Sequence, residues 1–555
     1  MGELDQRKKV TVMIAIMATM LFASINQTIV GTALPRIISK LGGMDYYTWV
    51  FTIYMLTSSI TAILVGKLSD MFGRKPFIIA GILIFSLGSF LSGLSSTIVH
   101  LIVFRGIQGF GGGMIMSTAF TAIGDLYAPR ERARWQGYMT ALFGLSSAFG
   151  PTLGGYIVDH LEWHWVFWIF LPFGLVALAL IWLLFPSVEQ ENRNPIDYFG
   201  SLFLTLTVVP LLLAFSWAGK EYAWTSPQIS GLFASAVLAL TAFILIESKV
   251  KNPVIPLTLF KNSVFVISNL ASLTMGAGMF GAIMFMPFFV QGVLGTSATS
   301  SGLVTMPMTF SLMIGSALSG QLIARTGKYK KLALGGLFVI VVGMVAMSFM
   351  SANASIPFAI VTIVVVGFGI GIGMPVFTLT IQNAVDHSVL GTATASSQLF
   401  RSLGGTIGVS VMGTVLTQRM ATEMSAVAGK VGEAIPTGGT VPPAGDAGNA
   451  GGTAPLDSEP QVMDQLQALQ DPQTLLDPDK LTEIEHALPP PLQDAFASIV
   501  TVVREALGSA LSSVFLTGAL IVAVAFVVTL FLKEIPLKSA QKRNTAQTSK
   551  VNQPS

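Results

Sequence analysis

Apolar stretches of about twenty residues, the length an α-helix needs to cross a bilayer, recur in this chain from Val10 to Leu532. In hydrocarbon every backbone N–H and C=O must be paired within the protein, so an isolated stretch of this kind can only be a helix. Composition agrees, with 52% of the 555 residues hydrophobic, 11% charged and a mean hydropathy of +0.70. The expected class is an all-α polytopic membrane protein.

About fourteen spans can be drawn, at residues 10–34, 47–66, 76–97, 101–124, 135–160, 164–185, 197–218, 228–247, 264–291, 299–323, 331–351, 356–379, 393–417 and 509–532. The first lacks a small-residue cleavage site after it and reads as a retained helix, not a signal peptide. Most of the 31 lysines and arginines fall on one side when the N-terminus is placed inside. Arg7, Lys67, Arg130, Lys249, Lys331 and Lys533 are among them, against a few on the other side such as Lys220 and Arg419. The positive-inside rule then puts both termini in the cytoplasm, and the bilayer is expected to be the cell membrane. The net charge of +3 reflects this topology and gives no reason to expect nucleic acid.

The chain has no cysteine, which excludes disulfides and thiolate metal sites, and its five histidines have no ligand spacing. No metal or bound cofactor is expected. Glycines near Gly109 and Gly369 lie inside apolar spans with no strand before them, so they are not dinucleotide loops, and no Walker loop is present. No enzymatic site is visible.

The run Gly66-Lys67-Leu68-Ser69-Asp70-Met71-Phe72-Gly73-Arg74-Lys75 concentrates charge between two apolar spans. Gly66 and Gly73 permit close helix approach, while Asp70, Arg74 and Lys75 place charges where helix ends meet water. The run resembles the signature loop of the major facilitator superfamily, and Gly320 to Lys331 repeats it without the acid, Ala324 and Arg325 standing where the first copy has Asp70 and Met71. Such repeats are expected of two-bundle transporters. The resemblance implies bundles at 1–190 and 263–417, an inserted helix pair at 191–262, an outer loop at 418–508, a last span at 509–532 and a basic tail at 533–555. The loop is Gly- and Pro-rich at first and then amphipathic, with its last helix expected to run into the final span.

Further runs carry the resemblance to the fourteen-helix drug:proton antiporters. Arg105, in Leu101 to Gly111, matches the fourth-helix motif implicated in proton coupling, and Asp125 closes the same helix. A guanidinium inside the membrane must be paired or hydrated, so Arg105 is expected to face the central cavity. Gly144, Gly150-Pro151 and Gly154-Gly155 resemble a fifth-helix motif typical of exporters, which is the warrant for direction. Asn26-Gln27-Thr28 matches the first-helix motif except that the family usually has Asp where this chain has Asn26, and an amide cannot titrate.

Arg401 lies inside its own span, and Phe285, Phe289 and Met306 are soft, polarizable candidates for a promiscuous pocket. The resemblance implies a monomeric exporter of amphipathic or cationic apolar compounds from the bilayer or cytoplasm, in exchange for protons. Alternatives are an exporter of an endogenous lipid or glycolipid, and a sensor or scaffold that uses the outer loop.

Overall fold

A computed structural model describes residues 5–41, 47–186, 197–219, 221–296, 298–434 and 490–537. In chain order its α-helices are α1 (Gln6–Leu41), α2 (Tyr47–Phe72), α3 (Arg74–Gly93), α4 (Ile98–Leu126), α5 (Pro129–His160), α6 (Trp165–Trp168) and α7 (Leu171–Leu184). They continue as α8 (Tyr198–Trp217), α9 (Pro227–Glu247), α10 (Ser263–Phe288), α11 (Ala298–Thr326), α12 (Lys330–Ser348), α13 (Ile356–Ala384), α14 (Leu390–Ala434) and α15 (Pro490–Leu530).

Local chemistry explains where many of these begin. The side chains of Thr97, Asp197, Ser226, Asn262 and Ser355 each accept a backbone N–H in the first turn of α4, α8, α9, α10 and α13. Pro287 interrupts the end of α10, which passes into a π-helical turn at Phe289–Val293.

Thirteen spans, with α6 and α7 counted as one, are long and apolar enough to cross a membrane among the described residues. The expected fourteenth is α5. It forms a continuous helix of 32 residues, but Arg130, Glu131, Arg132, Arg134 and Gln136 near its start dilute its apolar character. Large apolar side chains such as Leu183 and Phe349, each 77% exposed, point outward, as lipid-facing residues must.

Helices α1–α7 form one bundle around two apolar clusters, and α10–α15 form a second around a larger one. The bundles meet through α5 against α11 and α13, and through α2 and α4 against α14. Helices α8 and α9 pack on each other, and Leu204, Val208 and Phe243 share an apolar cluster with Ile63 of α2 and Leu399 of α14. The inserted pair therefore lies along the seam between bundles.

The helical ends reach further than the apolar runs. Helix α14 continues past residue 417 to Ala434, and α15 begins at Pro490 and runs into the last span, as expected for the loop's final helix. Ser509 Oγ donates to Glu423 Oε1 at 2.8 Å, joining the two extensions. The expected loop segment 435–489 and the tail from 538 lie outside the described residues. The end of the molecule that carries the start of α1 also carries Lys67, Arg74, Lys75, Arg130 and Lys330, and is its basic face.

Candidate functional site

Asp70 stands in the last turn of α2 on the basic face and is buried. Its Oδ1 accepts the N–H of Gly391 at 3.0 Å, and its Oδ2 accepts the N–H of Thr392 at 3.0 Å and the Thr392 hydroxyl at 3.3 Å. A carboxylate of the first bundle thus caps the N-terminus of α14 in the second, where unpaired N–H groups and the helix dipole favour negative charge. Arg74 holds the carboxylate from behind. It pairs with Asp70, donates through Nε to Asp125 Oδ2 at 2.9 Å, and donates through Nη1 to Ser69 Oγ at 2.5 Å.

The turn that makes this possible needs two glycines. Gly73 has φ 87°, a left-handed conformation that lets α3 start immediately after α2. Gly66 lies so close to Ala395 and the Gly391 carbonyl that a Cβ would overlap both. Lys75 is the second residue of α3 and is half-buried.

The repeat in the second bundle is wired differently. Counted from the paired glycines, Ala324 stands where the first turn has Asp70 and supplies no carboxylate, and α5, the helix it would cap by analogy, has no side-chain cap at Ala128. The second turn is instead tied to the C-terminal segment. Glu534 Oε1 accepts the N–H of Tyr329 at 2.9 Å, and Tyr329 Oη accepts the N–H of Ile535 at 2.6 Å. Burial pushes the Tyr329 phenol above its usual pKa.

Other cross-bundle bonds lie toward the same face. Gln136 of α5 donates to Gln382 Oε1 of α13 at 2.7 Å, and Gln382 donates to the Phe120 carbonyl of α4 at 3.2 Å. Gly137 and Gly320 bring α5 and α11 close enough that a side chain on either would strike the other's backbone. Ser59 and Ser402 meet at 3.2 Å further into the α2–α14 seam.

A second polar assembly lies within the first bundle. Arg105 is fully buried, with Nη1 donating to Gln108 Oε1 at 2.6 Å and its guanidinium 4.3 Å from the centre of the Tyr54 ring. Gln108 Nε2 donates to Asn26 Oδ1 at 2.7 Å, Asn26 Nδ2 to Ser89 Oγ at 3.2 Å, and Ser89 Oγ to the Phe167 carbonyl at 2.8 Å. Arg105 and Asn26 are therefore members of one network. Asp125 belongs to the Arg74 cluster at the far end of α4.

The remaining candidates are dispersed. Gln27 reaches Met55 Sδ at 3.5 Å, and Thr28 donates to the Ser146 carbonyl of α5 at 3.0 Å. In the exporter-type motif, Gly144 faces Leu312 of the other bundle, Gly150 packs on Thr28 within its own, and Gly154 is buried. Pro151 and Gly155 fall within α5, but their environment lies outside the described residues. Phe285 and Phe289 are packed in the apolar core of the second bundle, while Met306 and Arg401 are half-buried. Among the described residues no group of His, Asp and Glu could hold a metal ion.

Sequence reading missed Gln108, Tyr54, Ser89, Gly391 and Thr392. Gln108 had a signal, since it stands three residues from Arg105 and shares its helix face. The others are partners chosen by tertiary packing, with no signature of their own.

Two helical bundles joined at one face by a carboxylate-capped helix define a transporter of the major facilitator type. The profile of the Major Facilitator Superfamily matches residues 16–409, and the chain belongs to that family. It is 38% identical over 546 residues to the Multidrug transporter protein MdtP of Bacillus subtilis (strain 168), covering 98% of this chain and 97% of that protein. It is 34% identical over 406 residues to Multidrug resistance protein 3 of the same organism, covering 73% and 79%.

Among solved structures, the human organic anion transporter MFSD10 (TETRAN) superposes with TM-score 0.54 at 16% identity, covering 73% of this chain and 93% of that one. The proton:xylose symporter XylE gives TM-score 0.53 at 15% identity, with coverage of 73% and 88%. These two likenesses speak to the fold alone. The chain is thus a multi-pass membrane protein of the facilitator fold, related to multidrug efflux transporters.

Proposed function

We propose that this protein is a secondary active exporter of amphipathic compounds, working by alternating access in exchange for protons. The observation that carries the reading is the Asp70 cap on α14. It joins the bundles through charge-assisted bonds to backbone N–H groups, and water can satisfy every one of those groups once the bundles part. A joint of this kind can be made in one state and broken in another at modest cost. The printed names of the two Bacillus relatives support efflux as the direction.

In this reading the basic face is cytoplasmic, the membrane is the cell membrane, and the protein works as a monomer. Asn26 cannot carry the proton, so coupling falls to the Arg74–Asp70–Asp125 cluster and to Arg105. The test is flux in proteoliposomes with and without an imposed pH gradient. A gradient directed against export should accelerate it several-fold. Export indifferent to the gradient would reject proton exchange and leave transport standing.

A further inference from the structure

Among the described residues, no ion pair balances the charge of Arg105. Its neighbours account for one edge and one face of the guanidinium: Gln108 takes Nη1, and the Tyr54 ring covers the plane. The other edge, formed by Nε and Nη2, has no hydrogen-bond acceptor among the described residues, although the side chain is fully buried. Nε–H and Nη2–H are the parallel pair with which arginine grips a planar anion in a two-pronged fork.

Following the bonds away from Arg105 finds only neutral groups. Gln108, Asn26 and Ser89 pass one hydrogen bond after another and end on the Phe167 carbonyl. Ion pairs join Arg74 to Asp70 and Asp125, and His164 to Glu162, and none of these reaches Arg105. Asp125 lies on the same helix but twenty residues away, about 30 Å along its axis.

Sequence adds an independent point. The acidic residues of the described spans stand in or near their end turns, Glu505 furthest in at five residues from Val500, whereas Arg105 and Arg401 lie deeper inside theirs. The interior of the molecule is therefore positively biased. A buried guanidinium without a counter-charge costs several kcal/mol, and arginine cannot shed its proton to escape the cost.

We propose that the counter-charge arrives with the substrate. The free Nε/Nη2 edge of Arg105 is the anchor for a carboxylate or similar planar anionic group on an otherwise apolar compound, so the exported class is the amphipathic anion. This deepens the export reading above and rests on it. Asn26 then has a definite role. Its amide holds Gln108 without bringing a negative charge beside Arg105, and so leaves the guanidinium's field to the ligand. A cationic compound would find no carboxylate in this network to receive it.

The test uses one aromatic amphipath in three forms, as carboxylate, primary amide and ammonium, with the full-length protein in proteoliposomes. Wild type should export the carboxylate about tenfold faster than the other two, as a two-pronged charged pair warrants. Asn26→Asp, nearly isosteric and able to keep the Gln108 bond, should erase that advantage by supplying the charge internally. Arg105→Gln should erase it too, and Arg105→Lys should keep part of it.

Export of the ammonium form at or above the carboxylate rate overturns the proposal. So does a tenfold carboxylate advantage that survives in both Asn26→Asp and Arg105→Gln. If wild type exports none of the three, the export reading fails, and equilibrium binding in detergent decides the anchor. Carboxylate binding lost in Asn26→Asp upholds it, and equal binding of all three forms overturns it.

Discussion

The carboxylate of Asp70 and the backbone N–H of Gly391 meet at 3.0 Å although 321 positions separate them in the chain. The bond joins the end of one helix to the beginning of another, and through them one bundle to the other. Arg74 also engages Asp70, so the carboxylate is held from its own bundle as well.

Asp70→Asn keeps the shape and removes the charge. Hydrogen bonds to a charged group contribute about 2 kcal/mol, so the closed arrangement at the basic face should lose on the order of thirtyfold in relative population. The natural chain has no cysteine, so a single Leu399→Cys probe in the α2–α14 seam reports opening cleanly. Thiol labelling from the basic face should accelerate in Asp70→Asn, with export reduced and the amount of folded protein unchanged. An unchanged labelling rate would show that Asp70 does not hold the seam.

Gly391→Ala tests the same joint sterically. A Cβ there would overlap the Gly66 carbonyl and the Asp70 carboxylate, so α2 and α14 must separate. Labelling at Leu399→Cys should again rise. Combining Gly391→Ala with Asp70→Asn should add little, since both act on one contact. Full additivity would place the two effects at different sites.

At the seam's edge, Glu247 closes α9 and accepts the N–H groups of Val254 and Ile255 at 3.0 and 3.3 Å. Glu247→Ala leaves two buried donors unsatisfied and should destabilise the protein by about 2 kcal/mol or more. Glu247→Gln retains an acceptor and should cost less. Thermal unfolding in detergent ranks the two variants. Equal melting temperatures would mean that the loop finds water instead.

Replacing residues 435–489 with a short Gly-Ser linker should leave export of small amphipathic compounds within about twofold of wild type, because the entropy of closing a connection changes only slowly with its length. The Ser509–Glu423 bond already brings α14 and α15 together. Loss of export in a stably folded deletion would assign the segment a part in transport.

The sequence made the bundle legible because bilayer-spanning helices must announce themselves in length and apolarity. The fifth span shows the limit: α5 forms where expected, yet its charged first turn and glycine-rich remainder keep it below the hydropathy of the others. Within the site, the charged turn was readable because Gly66, Asp70, Gly73 and Arg74 are local to one another. What Asp70 caps was not, since Gly391 and Thr392 donate only backbone N–H groups, which any residue but proline carries. Phe285 and Phe289 show the converse. Their chemistry suits a pocket, but burial in the core of the second bundle is decided by packing that periodicity does not record.

The unequal wiring of the two repeated turns has a mechanical consequence. In the exporter proposed above, opening the basic face would rehydrate Asp70 as its hold on α14 is released, whereas Ala324, at the corresponding place in the second turn, has no carboxylate with which to hold α5. The first turn is tied to the other bundle, whereas the second, secured to Glu534 and Ile535, is tied within its own. The Asp70 cap is thus a charged tie beside neutral ones such as Gln136–Gln382, and its strength can be tuned at one carboxylate.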